Sequence, residues 1–217
     1  VDKDSILEGT TAGTVWDPSM GYGGRLLGAI ASGVNYIGTD PCVPTYEGLC
    51  KIRDDYGHKD KKYTLLKQGS ETFIPEPETL DFVFTSPPYL GHEMYGEEEE
   101  QSYKKFPVQE KWREGFLLQT IKNAYRGLKP GKYAGFNVAN VKSYKTFEED
   151  TYDCMKEAGF KDIQVWWLSL STQQGASVVA TLDGDESEKK QSNKYISRFE
   201  RPDVSGRKFE PVFIGVK

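Results

Sequence analysis

Cysteine and histidine are scarce in this chain of 217 residues, which holds three cysteines and two histidines. Cys42, Cys50 and Cys154 form an odd and widely spaced set, so the sequence provides no framework of disulfides. Neither residue type recurs at the spacing of a zinc site, and we therefore expect no metal centre. The same scarcity is typical of proteins from reducing compartments, and it predicts a cytoplasmic location.

Long apolar runs are also missing. No stretch approaches the ~18–20 apolar residues that a helix needs to cross a bilayer, which excludes a membrane-spanning protein. Lys and Arg number 28 against 33 Asp and Glu, for a formal net charge of −5. This acidic balance argues against a protein that binds nucleic acid over its whole surface, although it leaves room for a local basic face. One candidate for such a face, or else for a solvated loop, interleaves basic and aromatic residues: Tyr195, Arg198, Phe199, Arg201, Arg207 and Lys208.

Short β-prone runs alternate with amphipathic helical runs along most of the chain. Strands are predicted at 13–17, 35–40, 63–66, 80–85, 133–141, 163–170 and 209–216. Helices are predicted at 24–32, 45–56, 109–128 and 147–158, and a polar loop at 183–193. The turn Lys129-Pro130-Gly131 ends the third helix.

This alternation is typical of a parallel sheet that is covered on both faces, whereas the last two strands follow each other with no helix between them. We therefore predict an α/β fold. It is a Rossmann-like, doubly wound, mostly parallel seven-stranded sheet with an antiparallel edge strand, in one domain that spans residues 1–217.

The first candidate site loop follows the first strand, because ligands bind beyond the carboxyl ends of the strands in such a sheet. It runs from Asp17 to Gly24 and reads Asp-Pro-Ser-Met-Gly-Tyr-Gly-Gly. Glycines allow a sharp turn and a close approach of ligand, and the helix that follows offers free amides to a carboxylate or phosphate. No Gly-Lys-Ser/Thr follows, and the Asp-Pro start does not fit a dinucleotide fingerprint. A purely structural glycine-rich turn is the alternative.

The loops after the second and third strands offer polar groups. Asp40 ends the second strand, where a carboxylate can accept hydrogen bonds from both hydroxyls of a ribose; a plain helix N-cap is the alternative. Gln68 and Ser70 follow the third strand. They are placed to bind an adenine edge, or they simply form a turn.

The fourth loop carries the sharpest signal, Thr85-Ser86-Pro87-Pro88-Tyr89. Two prolines directly after a buried strand make a stiff turn that fixes the backbone carbonyls and the Tyr89 ring. A planar base can stack on Tyr89 while its exocyclic amine donates to Ser86 and to a carbonyl of the proline pair. Such an amine is a poor nucleophile because its lone pair is delocalised, and fixed acceptors favour its attacking form. A strand-ending proline pair followed by a core tyrosine is the alternative.

Together, Asp17-Pro18-x-x-Gly21-x-Gly23-Gly24 and Thr85-Ser86-Pro87-Pro88-Tyr89 resemble the motifs of the amino-methylating DNA methyltransferases. The resemblance implies S-adenosylmethionine as the cofactor and the exocyclic amine of a DNA base as the acceptor. Because a serine heads the tetrapeptide, it favours cytosine-N4 over adenine-N6. The implied cofactor-binding residues are Asp17, Pro18, Met20, Gly21, Gly23, Asp40, Gln68 and Ser70. The implied catalytic residues are Ser86, Pro87, Pro88 and Tyr89.

The expected partner is therefore DNA with one base flipped out of the helix. The chain between the two motifs is too short for a separate target-recognition domain, so we expect a second subunit or a missing domain to supply recognition. An N-terminal segment that helps to close the cofactor pocket in many members of that family is expected either to be trimmed or to be replaced by another chain. No membrane partner is expected. The alternatives are a methyltransferase that acts on RNA or on a protein side-chain amide, and a cofactor-binding but inactive module of a larger assembly.

Overall fold

A seven-stranded sheet organises the computed structural model, which describes residues 13–91, 95–170, 197–204 and 207–217. The strands are β1 (Thr14–Asp17), β2 (Asn35–Thr39), β3 (Tyr63–Leu66), β4 (Leu80–Thr85), β5 (Leu128–Asn137), β6 (Lys161–Leu170) and β7 (Lys208–Val216). They lie in the order β3-β2-β1-β4-β5-β7-β6. Strand β7 runs antiparallel to both of its neighbours, and the other neighbouring pairs are parallel. The predicted fold class is confirmed. The reversed strand lies one position in from the edge, which β6 forms.

Helices cover both faces of this sheet. They are α1 (Gly24–Ala31), α2 (Val43–Tyr56), α3 (Ser102–Lys105), α4 (Gln109–Trp112), a π-helical segment (Arg113–Leu118), α5 (Gln119–Gly127) and α6 (Phe147–Ala158). Successive residues of a strand point to opposite faces. On β2, Tyr36 belongs to a core with α1 and α2, while Ile37 packs against a second core that contains Trp112 and Phe147. None of the described helices is long and apolar enough to cross a membrane.

Two predicted element boundaries are wrong around the long helix. The predicted helix at 109–128 contains the π-helical segment, and it ends at Gly127. Strand β5 then begins at Leu128 instead of residue 133, so Lys129-Pro130-Gly131 lies inside the strand. The pairing shifts there, because Leu80 faces Leu128 whereas Phe82 faces Tyr133. The turn residues are accommodated as a bulge, which is one of the places where a sheet tolerates proline. The predicted loop at 183–193 lies outside the described residues.

A buried carboxylate ties three of the parallel strands together. Asp81 on β4 accepts a hydrogen bond from the Thr14 backbone N–H on β1 (2.9 Å) and one from Lys129 Nζ on β5 (2.8 Å). Burial alone would raise the pKa of Asp81, but these two donors outweigh it and hold that pKa below its usual value. Asp81 therefore stabilises the sheet in its ionised form.

We expect Asp81→Asn to lower the free energy of unfolding by about 1–3 kcal/mol at neutral pH, because it removes a charged acceptor from two donors. A carboxylate with a depressed pKa contributes stability above its unfolded-state pKa and loses it as the pH falls through the folded-state value. The gap between wild type and variant should therefore close below about pH 4. Urea unfolding at several pH values measures it, with the exposed Asp55→Asn as control. A gap that stays constant down to pH 3 would contradict the assignment.

Candidate functional site

A cavity of about 410 Å³ opens at the carboxyl ends of β1 to β4. Nine of the predicted site residues line it: Pro18, Met20, Gly21, Gly23, Asp40, Ser70, Ser86, Pro87 and Pro88. The sheet topology thus brings the two sequence motifs to one site. Among the described residues, the predicted members Asp17, Gln68 and Tyr89 do not line the cavity.

Backbone hydrogen bonds, within the loop and to β2, hold the glycine-rich loop in shape. The Met20 N–H donates to the Thr39 carbonyl (3.1 Å), and the Gly23 N–H donates to the Met20 carbonyl (3.3 Å). Gly21 and Gly23 have φ values of 49° and 90°, which favour glycine. A Cβ atom on Gly23 would also lie 2.5 Å from Leu49 Cδ2, so this turn packs directly against helix α2. The loop is therefore a rigid wall of the cavity.

Asp17 lies beneath that loop and not on the cavity surface. Its Oδ2 accepts from Arg25 Nε (2.7 Å) and from the Tyr36 hydroxyl (2.8 Å), and its side chain is almost fully buried. Arg25 also donates to the Ser19 carbonyl. The carboxylate is turned towards Arg25 and Tyr36 and supports the loop, and the predicted contact of Asp17 with the cofactor stays a prediction.

The pKa shifts around Asp17 follow from this burial. Burial raises the pKa of Tyr36 far above its usual value, and the charge of Asp17 raises it further, so the phenol stays a donor. Burial acts to lower the pKa of Arg25, but the charge and hydrogen bond of Asp17 outweigh it and the pKa is raised. Both donors to Asp17 therefore keep their protons: Arg25 stays a cation and Tyr36 stays a neutral phenol.

Asp40 lines the cavity and braces the loop at the same time. Its Oδ2 accepts from the Gly21 N–H (3.1 Å), and its Oδ1 accepts from the Cys42 N–H (2.9 Å) ahead of helix α2. Burial raises the pKa of Asp40, while these two backbone donors oppose the rise. A carboxylate offers about four acceptor positions, so two remain for a ligand in the cavity. The N-cap of α2 is Cys42, so Asp40 is not the helix N-cap of the alternative interpretation, and its two remaining acceptor positions are compatible with ligand binding.

The third loop contributes less than the sequence suggested. Ser70 lines the cavity, but it is buried and its hydroxyl pairs with Thr120 Oγ1 (2.8 Å). Gln68 lies outside the lining, whereas its neighbour Gly69 lies within it. The backbone of Gly69 and Ser70, more than their side chains, therefore faces the cavity.

Tyr89 is turned away from the cavity, although the three preceding residues of its motif line it. Its hydroxyl accepts from the Ala139 N–H (2.9 Å), and its ring meets Phe147 edge to face at 5.2 Å. The predicted stacking of a planar ligand on Tyr89 is therefore not prepared in this structure, because core packing orients the ring. The catalytic assignment of Ser86, Pro87, Pro88 and Tyr89 stays a prediction.

The predicted site residues do not include the segment 95–102, although the position of Tyr95 after the fourth strand suggests that it frames a flipped base. Tyr95, Glu100, Gln101 and Ser102 line the cavity, and Glu98 anchors them by accepting from the Val43 N–H of helix α2 (2.8 Å). That hydrogen bond lowers the pKa of Glu98. The other sequence signal was the acidic run at 97–100, which is typical of a solvated loop.

The basic C-terminal strip is mostly engaged with the protein itself. Arg198 pairs with Asp153 (2.7 Å) and lies 4.6 Å from the Tyr152 ring centre. Arg201 pairs with Glu148 and lies over the Trp167 ring. Tyr195 lies outside the described residues. Arg198 is therefore engaged with helix α6, and Arg201 with α6, β6 and β7, so these two arginines offer little to a phosphate.

No protein-family model and no curated protein matches this sequence. Solved structures do resemble its fold. Haemonchus contortus phosphoethanolamine N-methyltransferase 2, in complex with S-adenosylmethionine, aligns with a TM-score of 0.53 and 15% identity over 98% of this chain and 51% of that one. A TehB-like SAM-dependent methyltransferase from Corynebacterium glutamicum aligns with a TM-score of 0.52 and 12% identity, over 95% of this chain and 80% of that one. A SAM-dependent methyltransferase from Thermotoga maritima aligns with a TM-score of 0.50 and 17% identity, over 98% of this chain and 87% of that one.

The chain thus has the fold of SAM-dependent methyltransferases. It spans about half the length of the Haemonchus enzyme. At these low identities, the structural likeness shows the fold alone.

We expect Arg25→Met to lower the free energy of unfolding by about 2–3 kcal/mol, because Asp17 is left buried without its cation. Amide hydrogen exchange should accelerate in residues 19–24, which Arg25 ties together. Arg53→Met is the matched control, since Arg53 forms a surface pair with the exposed Asp54 and should change stability by less than about 1 kcal/mol. Equal effects of the two variants would contradict the supporting role of Arg25.

Proposed function

We propose that this protein is a methyltransferase that uses S-adenosylmethionine. The observation that carries the proposal is that the glycine-rich loop, Asp40 and the Ser86-Pro87-Pro88 turn line one cavity. The shared fold supports the same conclusion. Neither motif alone would have this weight, because each has a purely structural interpretation.

The residues of the cavity fit this cofactor. Asp40 retains acceptor positions for the two hydroxyls of a ribose. Gly21 and Gly23 present backbone without side chains, and α1 begins directly after them with unpaired amides that suit a carboxylate. Gly69 and Ser70 line the same cavity, at the position that we assign to the edge of the adenine ring. When bound, S-adenosylmethionine supplies an electrophilic methyl group.

The acceptor that we propose is the exocyclic amine of a base in DNA, with cytosine-N4 favoured over adenine-N6. Ser86 and the carbonyls of the rigid proline turn are placed to accept the two amine hydrogens, which concentrates the nitrogen lone pair on the side of the methyl donor. A new N–C bond then forms as the C–S bond breaks, and the nitrogen loses a proton to solvent. Such a displacement depends mainly on alignment, which a stiff turn provides. The serine at the head of the motif supports cytosine through the family resemblance.

DNA as a partner requires cations near the catalytic turn. The loop between β5 and α6 presents exposed Lys142 and Lys145, and its tip lies beside the turn: a Cβ on Gly91 would be 3.4 Å from Ser143 Cβ. Tyr144 anchors the loop by stacking on Phe147 at 4.9 Å. Neither lysine forms an ion pair within the part of the chain that the structure describes. Both are therefore available for phosphates that flank a flipped base.

A second candidate acceptor is a protein side-chain amide. The run Glu97–Glu100 stands at the mouth of the cavity, and Glu100 is part of its lining. Carboxylates there repel phosphate but tolerate a neutral amide, which is planar and whose nitrogen is similarly unreactive. RNA shares the amines of DNA and is a third acceptor to compare.

Product analysis decides among these acceptors. We would incubate the protein with S-adenosylmethionine labelled in its methyl group and with duplex DNA, RNA or peptides that carry Asn and Gln. Mass spectrometry of nucleosides and peptides then identifies the product, and N4-methylcytosine in the DNA is expected. Label in peptides alone would establish the second candidate. Calorimetric binding of the cofactor with no labelled product would contradict the enzyme and favour an inactive module.

We expect Ser86→Ala to lower kcat by about 10²-fold, because the variant loses an acceptor that acts on the reacting amine. Its dissociation constant for S-adenosylmethionine should stay within about twofold of wild type, since the cofactor is held by the other loops. Ser32→Ala, at the exposed end of α1, is the control. A Ser86→Ala enzyme with unchanged kcat would remove Ser86 from the reaction.

We also expect Lys142→Glu/Lys145→Glu to weaken duplex binding and to lower the slope of log affinity against log salt by about 2, as for two lost phosphate contacts. Anisotropy of a labelled duplex measures both quantities. Lys59→Glu/Lys62→Glu changes the same charge at the opposite edge of the sheet, where both lysines are also exposed. Equal losses in the two double variants would indicate that only net charge matters.

A further inference from the structure

Two exposed tyrosines meet at the mouth of the cavity. Tyr22 lies in the glycine-rich loop and is 85% exposed, while Tyr95 begins the 95–102 segment and is 46% exposed. Both line the cavity, and their ring centres are 6.3 Å apart at an interplanar angle of 77°. The two rings come from loops that are far apart in sequence. They form what we call the aromatic pair.

The backbone beneath each ring is fixed. The residues on either side of Tyr22 are held by Asp40, which accepts from the Gly21 N–H, and by the hydrogen bond from Gly23 to Met20. On the other side, the Tyr95 carbonyl accepts from Cys42 Sγ (3.5 Å). The Glu98 contact with Val43 ties the same segment to helix α2. The backbone that carries each ring is therefore in place before any ligand arrives.

The contact between the two rings does not explain their exposure. An edge-to-face aromatic contact contributes about 0.5–1.5 kcal/mol, and it leaves most of the Tyr22 surface in water. Aromatic faces at the mouth of a polar cavity are suited to stacking on a planar ligand, which contributes about 1–3 kcal/mol per base. The mouth therefore offers the stacking surface that Tyr89 does not provide, because the Tyr89 ring packs on Phe147.

The charges that line the cavity restrict which ligands the aromatic pair can bind. Asp40 and Glu100 line the same cavity, and Arg25, its one lining cation among the described residues, is paired with Asp17. A phosphate group would be repelled from this mouth, whereas an uncharged aromatic ring would not. The mouth of the cavity thus favours binding of the uncharged ring of a nucleotide over binding of its phosphate backbone.

We propose that Tyr22 and Tyr95 hold the planar ring of the acceptor, one by stacking on its face and the other by an edge contact, in the cavity that Ser86 and Pro88 line. This inference rests on the proposed function, because it assigns the aromatic pair to the acceptor of the methyl group. The pair then requires a flat heterocycle as acceptor. It favours a nucleobase over a side-chain amide, because the planar group of an amide is too small to contact both tyrosine rings.

Kinetics separate acceptor binding from cofactor binding. Tyr22→Ala and Tyr95→Ala should each raise the KM for an oligonucleotide acceptor by about tenfold or more, with the dissociation constant for S-adenosylmethionine unchanged. Tyr22→Phe keeps the ring and should behave as wild type. Tyr56→Ala removes another exposed tyrosine outside the cavity and is the control for stability. Weaker cofactor binding with an unchanged acceptor KM would overturn the proposal, since the rings would then cover the cofactor.

Photocrosslinking tests the same contact without turnover. A single-stranded oligonucleotide with 5-iodocytosine, irradiated with the protein, crosslinks preferentially to the aromatic side chain on which the base stacks. Peptide mass spectrometry should map the crosslink to Tyr22 or Tyr95. It should persist in Tyr22→Phe and be lost when both tyrosines are replaced by alanine. A crosslink at Tyr89 alone, or none, would overturn the proposal.

Methylation and crosslinking test the proposed reaction and the aromatic pair independently of each other. If no acceptor is methylated but the crosslink maps to the aromatic pair, the pair binds a base and the proposed reaction is wrong. If DNA is methylated and the crosslink maps elsewhere, the reaction stands and the role of the aromatic pair is wrong.

Discussion

The buried carboxylate of Asp17 is the interaction on which the candidate site depends. It ends β1 at the centre of the sheet, where an ionised group is tolerated only with close donors. Arg25 and Tyr36 supply them, from the first turn of α1 and from the neighbouring strand. Arg25 also binds the Ser19 carbonyl, so the same cation fixes the start of the glycine-rich loop. Because Arg25 and Tyr36 meet these demands, Gly21 and Gly23 of the loop are left to line the cavity. A residue that resembles a ligand contact in the sequence thus acts one layer beneath the cavity.

Asp40 connects this support to the chemistry. Its two oxygens each accept one backbone N–H, from the glycine-rich loop and from the start of α2. Half of its acceptor capacity therefore defines the shape of the cavity, and the other half faces it. Burial raises its pKa, so this carboxylate gains more from further donors than an exposed one would. A ribose diol provides two such donors, and this is the physical reason why an acid at the end of β2 suits a nucleoside.

The sequence predicts the elements well where the pattern is local. The limits of β3, β4 and the helix at Phe147–Ala158 are those expected from hydrophobic period, proline and glycine. The errors arise where distant residues decide. Lys129-Pro130-Gly131 is a turn by composition, but Gly131 donates to the Lys217 carbonyl and joins the sheet. Tyr89 looks like a free stacking surface until Phe147 packs on it. The contacts of Glu98 and Tyr95 with the start of α2 hold the 95–102 segment at the cavity, and no local pattern predicts them.

Electrostatics constrain how a nucleic acid can approach. The mouth of the cavity carries Asp40 and Glu100, and the charge of Arg25 is balanced by Asp17. A strand that entered backbone first would bring phosphates against these carboxylates. A strand whose base leads can keep its phosphates on the other side of the catalytic turn, where Lys142 and Lys145 stand on an anchored loop. Under the proposed function, the separation of an acidic mouth from a basic loop therefore favours an extruded base over a paired one. The same separation gives no advantage to a protein amide, which carries no phosphates, and so the arrangement favours a nucleic acid acceptor.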